Sequence, residues 1–166
     1  MSILDPEYLL EQAVRLIGAG PARDVDLRRA ISSAYYALFH AVMAGVGDTL
    51  VGRTHQTTPR YALVYRGIDH RTLKNLCLDV QKSSPPAKYR PYILAERFGF
   101  ELTAFSSAVV ELQEARQEAD HDPRRRFRTL NARSTIDLAR TGLGHWKRIK
   151  AEEKALFLTM LAFPPR

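Results

Sequence analysis

Apolar side chains recur every three or four residues in several long runs of the chain, and no pair of runs alternates with the period of two that paired strands require. Leu9, Leu10, Ala13, Val14, Leu16 and Ile17 form one side of a first helix predicted from Asp5 to Ala19. Asp5 suits its N-cap and Pro6 its first turn, where a missing N–H costs nothing. Gly18, Gly20 and Pro21 end it. Leu27, Ile31, Ala34, Tyr35, Leu38 and Val42 carry a second helix from Asp24 to about Val46. Its many alanines and serines permit close helix approach, and Gly45 and Gly47 weaken its end.

Leu50 to Arg60 has no apolar period and reads as a polar loop. Two short helices follow, Tyr61–Arg66 and Arg71–Val80, with Gly67-Ile68-Asp69-His70 between them and Asp69 as a cap. The prolines of SSPPAKYRP, within Gln81–Pro91, mark a break. A third main helix is expected from Ile93 to about Asp120, irregular at Gly99, with Phe98, Leu102, Phe105, Val109 and Leu112 as its buried stripe. Pro123 pushes Asp122 out of the helical region, so this helix stops near Asp120 or His121. After a turn to Arg128, a fourth helix is expected from Leu130 to Leu161. Ile136, Ala139, Leu143, Trp146, Ile149, Leu156 and Met160 give it an interrupted apolar face, and Gly142 and Gly144 are where it would bend. Long helical patterns parted by short breaks predict an all-α bundle. The 166 residues suit one domain, 1–166, with a less regular insertion at about 50–92.

Composition narrows the function classes. A single cysteine, Cys77, excludes an internal disulfide and any zinc site built from cysteines. With no signal peptide recognised, this points to the cytoplasm. No window approaches eighteen uncharged apolar residues, so no membrane span is expected. The net charge of +7 is unevenly placed: about 53–97 and 124–166 carry +6 and +8, whereas 101–122 carries −5. Such segregation favours a basic surface that attracts a polyanion.

The chemistry-bearing residues gather where the third helix gives out. Arg116 occupies the next position on the apolar stripe, where an unpaired cation would be costly. His121 sits at the helix end, and Arg124, Arg125, Arg126 and Arg128 follow it. An arginine holds a phosphate bidentately and stabilises charge on its oxygens. A histidine titrating near neutrality takes a proton from a 2′-hydroxyl or gives one to a leaving oxygen. Neither step needs a metal or a cofactor. The competing reading is helix capping, because Arg and His near a helix C-terminus are each favoured by the macrodipole by roughly 0.3–1 kcal/mol. Continuation of the stripe by Arg116 favours a cleft or a partner chain over a sealed core. Glu118-x-x-His121 has the form used in di-iron bundles, but no second copy exists: Ala37, Gly52, Gly67 and Gly142 precede the other histidines by three. The glycine-rich phosphate loop and the Gly-x-Ser-x-Gly elbow are also missing from the sequence. Tyr35, Tyr36, His40 and Trp146 read as packing residues.

Two stretches carry a resemblance. RRAISSAYYALFHAV, Arg28 to Val42, is similar to the small, Tyr-rich second helix of bacterial HEPN proteins. EARQEADHDP, Glu114 to Pro123, resembles the Arg-x4-6-His motif that ends a main HEPN helix. The likeness runs from Asp5 to about Leu161. It implies an up-and-down four- to five-helix bundle acting as a homodimer, in which the two motifs meet across the two-fold axis and cut RNA without a metal. Carried over, Arg116 binds phosphate and His121 is the acid/base, with Gln117 and Asp120 in support and the four arginines after Pro123 holding RNA. Gln117 stands where active members often have Asn, Asp or His. Pro123 stands where members paired with a nucleotidyltransferase antitoxin often have Tyr, which argues against regulation by adenylylation of that tyrosine; such an antitoxin stays open as a partner. The rival expectation is a non-catalytic HEPN module that binds a nucleotide or a nucleotidyltransferase.

Overall fold

A computed structural model describes residues 4–18, 20–93 and 95–165. It is all-helical, with no strand among the described residues. Seven helices are described: α1 (Pro6–Ile17), α2 (Asp24–Leu50), α3 (Pro59–Tyr65), α4 (His70–Val80), α5 (Phe100–His121), α6 (Thr129–Arg148) and α7 (Ala151–Ala162). Single 3-10 turns lie at Arg53–His55 and Ala87–Tyr89. The caps act locally as their chemistry requires. Asp5, Thr58 and Asp69 each accept from a backbone N–H of the helix they open, at α1, α3 and α4. The predicted extension of α1 to Ala19 falls partly outside the described residues.

α2 is the axis of the bundle and packs against α1, α3, α5, α6 and α7. By length and composition it is apolar enough to cross a membrane, yet 61% of that window is buried against the other helices. Tyr35, Leu38, Met43, Phe105, Leu112 and Phe157 lie at the centre of the core. Phe105, Trp146 and Phe157 pack, tilted or edge to face, into one aromatic knot joining α5, α6 and α7, with Phe105 and Trp146 centroids 4.8 Å apart. Cys77 of α4 is fully buried there, and burial pushes its thiol up to about 12.

Three expected boundaries are corrected. α2 runs four residues past Val46, through Gly45 and Gly47, to Leu50. A β-carbon on Gly47 would stand 2.5 Å from the Tyr61 ring, so this glycine admits α3 and does not end the helix. The third main helix starts at Phe100, with Gly99 as its cap, not at Ile93. The fourth is two helices, α6 and α7, broken at Ile149 and Lys150, where the backbone is extended. Gly142 bends nothing: it lies inside α6, where an added β-carbon would meet Leu38 at 2.8 Å and Ala108 at 3.2 Å. Its bare backbone lets α6 close on α2 and α5.

Candidate functional site

The end of α5 is held by a residue of α2. Arg28 donates from Nη1 to the carbonyls of Ala119 (2.8 Å) and Asp122 (3.1 Å), and from Nη2 to that of Arg125. Its Nε donates to Asp24 at 2.6 Å, and its guanidinium lies over the Phe127 ring. The last carbonyls of a helix have no partner within the helix. Here a cation satisfies them where the macrodipole is negative. α5 therefore ends at His121, as Asp122-Pro123 requires.

Arg116 lies half-buried between α5 and α2, with its side chain 17% exposed. Its Nη2 donates to the Tyr36 hydroxyl at 3.0 Å, and the guanidinium sits 5.5 Å from the Tyr36 ring centre. Its Nε is 2.7 Å from Oδ2 of Asp120, one turn on. That N–H is not aimed at the oxygen, and Nε remains buried without a hydrogen-bond partner. The Ser32 hydroxyl donates to the other Asp120 oxygen. Arg28, Ser32 and Tyr36, each four residues apart on α2, thus contact the end of α5, Asp120 and Arg116 in turn.

The next residue in that series, His40, begins a second cluster. His40 Nδ1 shares a hydrogen bond with Tyr65 Oη at 2.6 Å, and His70 Nδ1 one with Tyr35 Oη at 2.7 Å. The Tyr36 ring packs on both imidazoles, and Phe39 lies 4.1 Å from His70. Burial, then the Arg116 cation, holds His70 below the usual imidazole range. Burial, then His70, does the same to His40. Burial pushes the Tyr65 phenol up to about 12. Both rings are therefore neutral acceptors or donors at neutral pH.

His121 is exposed at the tip of α5, and Gln117 is exposed one turn before it. Five residues apart on a helix, Arg116 and His121 point about 140° apart around its axis. Within one chain the first is directed to α2 and the second to solvent. The arginines after Pro123 lie on the surface turn, and three are paired: Arg124 with Asp122, Arg125 with Glu118, and Arg126 with Asp24 at 3.9 Å. Exposed pairs of this kind contribute about 0–1 kcal/mol each, so they yield readily to a phosphate. Arg128 is the N-cap residue of α6, and its backbone N–H donates to Asn131. Among the described residues, no group of three His, Cys, Asp or Glu side chains is placed to hold a metal ion.

Sequence reasoning singled out Arg116, His121 and Asp120, of which Arg116 and Asp120 lie in this cluster and His121 does not, and it did not single out Arg28, Ser32, Tyr36 and His70 as site residues. The signal for three of them was present: Arg28, Ser32, Tyr36 and His40 recur every fourth position and draw a polar line along an otherwise apolar helix. Beside that line, α1, α2 and the end of α5 enclose an open groove of about 550 Å³, with Tyr36 and Asp120 in its wall. Compared with family models, curated proteins and solved structures, the chain matches none.

Proposed function

We propose that the protein is a HEPN-type, metal-independent endoribonuclease that works as a homodimer. The observation that supports this reading is the seat of Arg116: a half-buried guanidinium held by Tyr36 and Asp120, both in the wall of an open groove, on the helix that ends in an exposed His121. A guanidinium has five N–H donors, and those not taken by Tyr36 and Asp120 gain most from a phosphate oxygen. The two side chains diverge in one chain, so the reaction calls for a second copy that brings its own His121 near the first. The 2′-hydroxyl attacks the adjacent phosphorus, the bond to the 5′-oxygen breaks, and a 2′,3′-cyclic phosphate and a 5′-hydroxyl result. His121 takes the proton from the 2′-hydroxyl, and the other protomer's copy gives one to the departing oxygen. Arg116 stabilises the pentacoordinate phosphorus, Asp120 orients it, and Gln117 and the arginine run hold the strand. The resemblance suggests a toxin or defence setting, and the single cysteine suits the cytoplasm.

One observation favours a second reading. Arg116 is already engaged by Asp120 and Tyr36, which suits a packing role in a non-catalytic module that docks a nucleotidyltransferase or a nucleotide. Labelled RNA incubated with the purified chain and EDTA separates the two. The nuclease cleaves it to cyclic-phosphate ends, and Arg116→Ala or His121→Ala, each with unchanged helical circular dichroism, loses about 10²–10³-fold in rate. Intact RNA after incubation with dimeric protein overturns the nuclease.

A further inference from the structure

We propose that the groove between α1, α2 and the end of α5 is a ribose-phosphate site, taking the nucleotide next to the phosphate held on Arg116. Its volume of about 550 Å³ falls in the range of small-ligand sites, about 300–1,000 Å³. Its wall carries the hydroxyls of Ser32, Ser33 and Tyr36, the Asp120 carboxylate and the Arg29 guanidinium. Leu16 of α1 and Val25 of α2 supply its apolar part.

The charges in this wall are unequally committed. Arg28 is spent on Asp24 and the carbonyls that end α5. Asp120 is spent on Arg116 and Ser32. Among the described residues, Arg29 makes no ion pair or hydrogen bond, and it is exposed. The uncommitted charge is therefore positive, and it selects an anion. Asp120 still lines the same wall, and a carboxylate accepts hydrogen bonds and repels anions. A bare phosphate meets both effects. A phosphate with one free hydroxyl on the neighbouring carbon, as in a ribose 3′-phosphate with its 2′-hydroxyl, satisfies both, with the anion on Arg29 and the hydroxyl on Asp120. The inference rests on the nuclease reading only for the strand that supplies the ligand; the chemistry is the same for a free mononucleotide.

The test is a titration of the isotope-labelled full chain, followed by amide and arginine side-chain NMR shifts. The probes are a ribonucleoside 3′-monophosphate, its 2′-deoxy analogue, the nucleoside alone and inorganic phosphate. The ribonucleotide is expected to move Arg29 and Ser33 and to bind about tenfold tighter than the nucleoside or inorganic phosphate, with the deoxynucleotide between. Arg29→Ala weakens it about tenfold, and Gln12→Trp, filling the groove from α1, weakens it as far without touching Arg29. A short oligoribonucleotide binding tighter than the mononucleotide assigns the RNA strand, and the reverse order assigns the free nucleotide. Shifts confined to other surfaces, or affinity unchanged in both variants, overturns the site. RNA left uncut while the mononucleotide still binds the groove defeats the nuclease reading and keeps this one; cleavage with an unoccupied groove does the opposite.

Discussion

Arg28→Ala is the substitution that most directly tests how α2 builds the end of α5. The native side chain, 18% exposed, makes an ion pair with Asp24 and donates to three carbonyls of α5 and the turn after it. A hydrogen bond to a charged group is worth roughly 1.5–3 kcal/mol. The turn lies at the surface, so water re-solvates much of what the arginine leaves behind. The net loss is then about 2–3 kcal/mol, including the cation at the negative end of the helix. In a domain of this size each kcal/mol shifts Tm by about 2–4 °C, which gives a fall of roughly 5–10 °C. Arg29→Ala, next door and unpaired, is the control and stays within about 0.5 kcal/mol. Arg28→Lys keeps the charge but loses the fork, and recovers less than half of the loss. Urea unfolding followed by circular dichroism measures the stability, and amide exchange in the last turn of α5 locates the effect. The reasoning fails if Arg28→Ala costs no more than Arg29→Ala. It fails equally if the stability drops while exchange from Gln117 to Asp122 is unchanged.

The glycines of α6 divide sharply. Gly142→Ala forces a β-carbon onto Leu38 and costs about 1–3 kcal/mol in unfolding free energy. Gly144→Ala meets only the flexible Arg148 side chain and gains up to about 1 kcal/mol from helix propensity. The paired imidazoles make stability pH-dependent. Both folded values lie below the unfolded one of about 6.5, so the unfolded chain binds protons first as pH falls. Their contribution is complete above that value and is lost on acidification through the folded values; urea midpoints between about pH 7.5 and 5.5 should fall less in His70→Asn than in the native chain. Tyr36→Phe removes the acceptor on Arg116 but keeps the ring; RNA turnover at saturation should drop several-fold with the urea midpoint nearly unchanged.

Side-chain caps were readable at Asp5 and Asp69, but not at Thr58, which opens α3 at Pro59 inside the stretch expected to be loop. Asp5, Asp69 and the Asp122-Pro123 pair act within a few residues of themselves, and the ends they set agree with their chemistry. The ends that depend on remote partners were not readable. Gly47 looks like a helix breaker until Tyr61 is seen against it. The break at Ile149 carries no glycine or proline, and Ile149 and Leu156 keep the apolar period across it, so periodicity cannot reveal it. What turns the chain there is burial of Ile149 and the edge-to-face packing of Phe157 on Trp146, a contact between two helices. The same limit applies to the candidate site. Arg116 stood out as a cation on a buried stripe. Its neighbours Tyr36 and Ser32 lie about eighty to ninety positions earlier in the chain, and only packing of α2 on α5 unites them.

The lone thiol gives the molecule a built-in clock. Cys77 is sealed in the core with its proton held tightly, so an alkylating reagent in the surrounding buffer has nothing to attack while the helices stay together. Modification then waits for the chain to open, and at reagent concentrations where alkylation outpaces reclosing its rate is the rate of opening. No tag or engineered reporter is required: mass spectrometry of the unaltered chain would time how often the bundle comes apart, and whether nucleic acid or a second copy slows it.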